Sequence, residues 1–240
     1  MMKKNGFTLA EVLITLAIIG VVATMTLPAL MTNTGEQQAK TGLKKGINTL
    51  TEAVTMNESV AGFGYDNITI ASPTSIADFS DEAAEKQSLF AILANNCSID
   101  YSKDTNISTL EGSGDIDDDF TVSVHLRDGS AILYNPTTAK SDSTNAKKQN
   151  DDLPLGFDVI LDTNGAKGPN VVSHCLADGA LSTGADDRDE TQFTKSKGAA
   201  FDISVCDAKK NRAIKDQFFV RLRGNTVQPS GKAAVWALEN

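Results

Sequence analysis

The chain has 240 residues, 40% hydrophobic and 22% charged, with a formal net charge of −9 and a pI near 4.7. That length supports one globular domain of about 200 residues beyond any anchor. The acidity argues against wrapping phosphate backbones, which draws largely on Lys and Arg, and suits a soluble exported domain or divalent-cation binding.

Lys3-Lys4-Asn5-Gly6 opens the chain, and the 24 residues from Phe7 to Leu30 that follow are apolar apart from Glu11, their only charge, and a few small polar residues. As a helix this run extends roughly 36 Å, enough for a hydrocarbon core of about 30 Å. A carboxylate inside such a run costs roughly 2.5–3.5 kcal/mol on insertion scales and by default marks a function with a specific partner. Glu11 therefore needs a cation, and the apolar run offers none. A secretory signal has a shorter apolar region, about 7–15 residues, and is cut beyond it. Ala23-Thr24-Met25 and Pro28-Ala29-Leu30 match such a site only loosely.

Lys-Lys-x-Gly, then Phe-Thr-Leu-x-Glu-Val-Leu-Ile and Ile-Ile-Gly-Val-Val-Ala, resembles the processing and methylation segment of type IV prepilins and type II secretion pseudopilins. The resemblance implies that a prepilin peptidase cuts between Gly6 and Phe7 and N-methylates Phe7. It implies that Glu11, fifth in the mature chain, neutralises the terminal amine of a neighbouring subunit during assembly. Loss of Lys3 and Lys4 with the leader turns −9 into −11. The implied fold is α+β and pilin-like, a long N-terminal helix packed on an antiparallel sheet. The implied organisation is a leader over 1–6, a membrane or filament-core helix over 7–30, its amphipathic continuation over 31–57 and a globular domain over 58–240. The implied setting is the bacterial inner membrane, crossed once, with the domain outside the cytoplasm. Implied partners are other pilin or pseudopilin subunits, the prepilin peptidase, an inner-membrane assembly platform and membrane lipid. No catalytic residue and no enzymatic role are expected. A reading from another class is an unassembled, membrane-anchored periplasmic binding domain that uses its acidic loops.

Pro28 interrupts the helical pattern, but prolines in membrane helices are accommodated. From Glu36 onward, Ala39, Leu43, Ile47, Leu50, Ala53 and Val54 recur at intervals of three and four, which predicts a helix to about Met56 with Lys40, Lys44 and Lys45 on another face. Gly35, Gly42 and Gly46 weaken it locally. Residues 61–79 read as a loop, and Ser80 followed by Asp81 and Glu82 starts a short helix to about Asn95.

Phe120, Val122 and Val124 alternate with Thr121, Ser123 and His125, and after Asp128-Gly129 the run Ala131 to Tyr134 completes a predicted hairpin. Phe157–Leu161, Phe218–Leu222 and Ala233–Leu238 are further strand candidates, for a total of five antiparallel strands. Thr137 to Asp152 reads as an exposed connection.

Asp162-Thr163-Asn164-Gly165-Ala166-Lys167-Gly168-Pro169-Asn170 reads as a turn, because Asn-Gly favours left-handed backbone and Gly-Pro breaks pairing. Asp162 and Asn164, with Asp216 and loop carbonyls, are also candidate calcium ligands, since Ca²⁺ takes six to eight oxygens. The loop is similar to one found in many pseudopilin-like proteins, where Asp-Phe begins the next strand. Here Asp216-x-Phe218 lies about 45 residues beyond Asn170. Asp115 with Asp117–Asp119, and Asp186, Asp187, Asp189 and Glu190, read as solvated acidic loops rather than metal sites.

Cys97, Cys175 and Cys206 fit an exported domain with one disulfide and one spare thiol. Cys175 with Cys206 is the favoured pair, because those two flank one segment read as an insertion. His174-Cys175 is not by itself a catalytic dyad or a zinc site. The loop over 162–170 leans toward a pseudopilin, and the segment between Cys175 and Cys206 toward a pilin.

Overall fold

The computed structural model describes residues 8–68, 87–102, 120, 122–135, 156–165, 167–176 and 203–240, with backbone only for 27–33 and 157. Helix α1 spans Leu9–Ala61 and is unbroken at Pro28. Two compact units divide it, residues 1–38 and residues 39–240. In the first unit Leu9, Leu13, Ile14, Leu16, Ile18, Ile19 and Met25 are all exposed, so the helix is apolar around its whole circumference.

In the second unit the helix buries one stripe. Ala39, Leu43, Gly46, Leu50, Ala53, Val54 and Asn57 are covered at spacings of three and four, while Thr41, Lys44, Lys45, Glu52 and Met56 face out. Burying each of Leu43, Leu50 and Val54 contributes roughly 1.5–3 kcal/mol. Lys40, expected on the polar face, is instead buried at 7% exposure. Its ammonium sits over Trp236, 4.2 Å from the ring centroid. The helix outruns the expected end at Met56 and stops where Gly62, at φ +77°, adopts the left-handed conformation and donates its N–H to the Glu58 carbonyl at 3.0 Å.

Helix α2, Leu89–Asn96, follows Ser88, whose hydroxyl accepts the Ala91 N–H at 3.1 Å. The expected start at Ser80 lies outside the described residues, as do the connection over 137–152 and the two acidic loops. The strands are β1 (Val122–His125), β2 (Ala131–Tyr134), β3 (Phe157–Asp162), β4 (His174–Cys175), β5 (Arg212–Ala213), β6 (Gln217–Arg223) and β7 (Thr226–Pro229). A four-residue helix α3, Ser204–Asp207, precedes β5, and helix α4, Lys232–Glu239, follows β7. One antiparallel sheet has the order β1-β2-β3-β6-β7; β4 and β5 form a separate pair.

The fold is α+β, with the helix-and-antiparallel-sheet architecture expected. Two strand expectations need correction. Ala233–Leu238 is helical, because three alanines, a leucine and a glutamate favour the helix and the apolar tryptophan face packs inward. The fifth strand is β7, turned from β6 at Gly224-Asn225. Ser123 and His125, expected on a solvent face, are buried. The sheet carries a core on each side: Val122, Val124, Ile132, Tyr134, Val159, Leu161, Phe218, Val220 and Leu222 join the α1 stripe, while Ala131, Leu133, Ile160 and Phe219 pack with Phe120 and Val172.

Gly42 and Gly46 have a role beyond weakening α1. A Cβ on Gly42 would sit 2.6 Å from Thr163 Cβ, and one on Gly46 would overlap the side chain of buried Leu161. These glycines let the helix approach β3 closely. Gly46→Ala should therefore lower stability by about 1–2 kcal/mol, although alanine is the better helix former by about 1 kcal/mol, because overpacking outweighs propensity. Urea denaturation of the full chain in detergent measures the sign, and a gain in stability contradicts the close packing.

Candidate functional site

The cleavage pair Gly6 and Phe7 lies outside the described residues. Directly after it, Thr8 and Glu11 close a reciprocal cap on α1. The Thr8 N–H and hydroxyl both donate to Glu11 Oε2 at 2.8 Å, and the Glu11 N–H donates to Thr8 Oγ1 at 3.3 Å. This is the Thr-x-x-Glu capping box, which satisfies donors the first helical turn leaves without partners. Glu11 Oε1 takes no hydrogen bond from a described residue. The carboxylate is thus fixed on one edge and open on the other.

The 18 residues Leu9–Thr26 form a helical window long and apolar enough to cross a membrane, with none of it buried among the described residues. Its threonines fold back on the helix: Thr15 donates to the Val12 carbonyl at 2.9 Å, Thr24 to Val21 at 2.9 Å and Thr26 to Val22 at 3.0 Å. Hydroxyls satisfied within their own helix carry little penalty in hydrocarbon.

The loop after β3 brings together Asp162, Asn164 and Asp216. Asp162 is fully buried; its Oδ1 accepts the N–H groups of Asn164 at 3.0 Å and Gly165 at 2.7 Å, and its Oδ2 accepts Gln217 Nε2 at 2.9 Å. Asp216 reaches the far end of the loop, accepting the N–H of Asn170 at 2.8 Å and of Val171 at 3.0 Å. Burial pushes the Asp162 carboxyl up to about 7, with the Asp216 charge adding to the effect and the three hydrogen bonds opposing it. The two aspartates therefore fasten the loop through backbone donors. Asn164 Oδ1 is buried without a partner. Among the described residues no three acidic, histidine or cysteine side chains gather as metal ligands, so a calcium ion here would draw most of its six to eight oxygens from Asn164 and loop carbonyls.

Cys175 on β4 and Cys206 on α3 are joined in a disulfide, with Cα atoms 5.3 Å apart. Cys97 is a free thiol that burial pushes up to about 11, so it is held as a neutral group. His174 is buried, with Nδ1 2.9 Å from the Val172 carbonyl, and burial lowers its proton affinity. With the Cys175 sulfur in a disulfide, the adjacent histidine has no thiolate to activate.

Sequence reasoning missed two features of the site. Thr8-x-x-Glu11 carries the sequence signal of a capping box, and the glutamate's charge in an apolar run gives no sign of that local role. Trp236, stacked between Lys40 and Arg212, has no local sequence signal because its partners come from α1 and β5.

An apolar N-terminal helix on an antiparallel α+β domain is consistent with the pilin-like class. Residues 1–27 match the family described as the prokaryotic N-terminal methylation motif. Residues 1–27 thus carry the prepilin-type cleavage and methylation segment, and this motif supports a pilin- or pseudopilin-like, prepilin-processed protein. The motif implies processing by a peptidase and assembly with pilin subunits, and the helix that carries it fits membrane anchoring. No curated protein and no solved structure matches the chain.

Two measurements check the loop. Because the folded Asp162 carboxyl titrates near 7 and an unfolded aspartate near 3.9, the folded state holds the extra proton between those values, and this group adds stability as pH falls from 7 toward 4. His174 works in the opposite sense, since a lowered affinity loses stability as pH drops through its ordinary value. The difference between the wild type and Asp162→Asn isolates the aspartate: it should shift in favour of the wild type by about 1–3 kcal/mol between about pH 7.5 and 5, and denaturant midpoints read it. Separately, thermal midpoints in chelator and in millimolar calcium should agree within about 2 °C; a larger rise with calcium that Asp162→Asn abolishes would place the ion in the loop.

Proposed function

We propose that this chain is a structural subunit of a type IV pilus or type II secretion pseudopilus. A prepilin peptidase removes residues 1–6 and methylates Phe7. Residues 7–30 anchor the subunit in the inner membrane before assembly and pack in the filament core afterwards. Residues 31–57 carry the helix onto the globular domain of residues 58–240, which lies outside the cytoplasm. The observation that carries this reading is the methylation motif continuous with an apolar helix that is exposed among the described residues. Such a surface is stable only in lipid or against other helices.

Within that reading Glu11 has two roles. Through Oε2 it caps its own helix, and through Oε1 it accepts the Phe7 ammonium of a neighbour. An ion pair formed away from water attracts far more strongly than one in water, and a subunit in the wrong register leaves an uncompensated charge.

Glutamine separates the two roles, because it retains the capping-box geometry and lacks the charge. Glu11→Gln and Glu11→Ala should both be cleaved and inserted normally, and both should reduce filament yield by at least about tenfold, the effect of roughly 1.4 kcal/mol per subunit contact. Normal filaments from Glu11→Gln would reduce the glutamate to a cap.

Mass spectrometry of the N-terminal peptide, in sheared surface filaments and in washed envelopes of the same cells, tests the function as a whole. Methylated Phe7 in the sheared fraction identifies a pilus, and the same peptide confined to the envelope identifies a pseudopilus. An intact leader in both fractions leaves an unassembled anchored domain.

A further inference from the structure

Trp236 is the only tryptophan in the chain, and its ring is held between two cations. Lys40 Nζ lies 4.2 Å and Arg212 Cζ 3.9 Å from the ring centroid, while the indole N–H donates to Asp207 Oδ1 at 3.3 Å. Lys40 belongs to the first turn of α1 within the globular unit. Arg212 comes from the other side of the chain's circuitry. Its Nη1 donates to the Cys206 carbonyl at 2.7 Å, and its backbone sits opposite Cys175 in the β4–β5 pair. The disulfide joins those same two cysteines. Cys175, Cys206 and Arg212 thus form a closed loop of covalent, ladder and hydrogen bonds, and the free face of that loop is the guanidinium on Trp236.

We propose that Trp236 is a latch that transmits the state of the Cys175–Cys206 disulfide to α1, so that residues 39–46 are held firmly only once the domain has been oxidised. Oxidation is a thiol–disulfide exchange with a disulfide-bearing oxidant: two thiols give up two electrons and two protons, the Cys175–Cys206 bond forms, and the oxidant's disulfide is reduced to two thiols. Before that step nothing covalent fixes the Cys206 carbonyl relative to Cys175. Arg212 then loses a fixed acceptor, and the ring loses the ordered cation on one face. After it, Arg212 is positioned, and Trp236 presents a ring whose negative faces attract both Arg212 and Lys40. Each such contact, partly desolvated, shifts a local equilibrium by about three- to thirtyfold. The exported compartment in which disulfides persist is the one in which the latch closes. The inference stands whether or not the chain assembles into a filament.

The test is amide hydrogen exchange of the full chain in detergent micelles, with tryptophan emission read alongside. Wild type purified under a dithiol, and the Cys175→Ser/Cys206→Ser chain, should each exchange residues 40–46 about three- to thirtyfold faster than the oxidised protein and show altered Trp236 emission. Adding oxidised glutathione should restore slow exchange in the wild type alone. Arg212→Met with the disulfide intact should reproduce the fast exchange, and reducing it should add little further. Should Arg212→Met fail to fold, Lys40→Met replaces it: reduction should then alter the emission without further change at residues 40–46. Unchanged exchange on reduction, equal acceleration in the β3 amides, or an undiminished effect of reduction in the variant each overturns the latch.

Discussion

One helix has to satisfy two different surroundings along its length, and the rest of the structure depends on how it does so. From Leu9 to Thr26 α1 is apolar on every side and exposed among the described residues. From Ala39 onward it buries a single stripe at helical spacing against the sheet. The hydrophobic effect acts on both stretches, but among the described residues only the second has its apolar partner. The first needs lipid or other helices, which is the physical content of the prepilin-type motif that overlaps it.

The docking of the second stretch sets the geometry of the sheet. Gly42 and Gly46 allow close approach to Thr163 and Leu161, so β3 runs directly beneath the helix. Strand β3 pairs with β6 from Phe157↔Leu222 to Asp162↔Gln217, and the pair is reinforced by the two-pronged Arg221–Asp158 contact at 2.8 Å. At the end of this pairing the chain must leave the ladder, and its freed N–H groups need acceptors. Asp162 and Asp216 supply them, with Asp162 held away from water as a result. The raised proton affinity of Asp162 follows from the burial that this structural duty imposes.

Several elements were legible in the residues themselves. The stripe of α1, the β1–β2 hairpin around Asp128-Gly129 and the strands at 157 and 218 all stand where periodicity and turn chemistry predicted them. Ala233–Leu238 did not, because six apolar residues have too little periodicity to separate a buried strand from a short helix, and helix propensity decided between them. The burial of Ser123 and His125 was hidden for a related reason. Alternation predicts a wet face only where nothing covers it, and here Phe120 and Val172 lie on the second side of the sheet. Lys40 looked solvated because a lysine at a helix flank usually is, and its position over Trp236 depends on a residue almost two hundred positions away.

By itself, the sequence determined the processing motif and the long apolar run with its one carboxylate, since each rests on spacing within a few turns of the chain, and the resemblance those residues carry implied the α+β class. The tertiary structure alone decided that the glycines of α1 are contact points, that two distant aspartates close one loop and that Trp236 lies between two cations. Those features arise from distances between segments far apart in the chain, and side-chain packing and burial, which no local pattern encodes, set them.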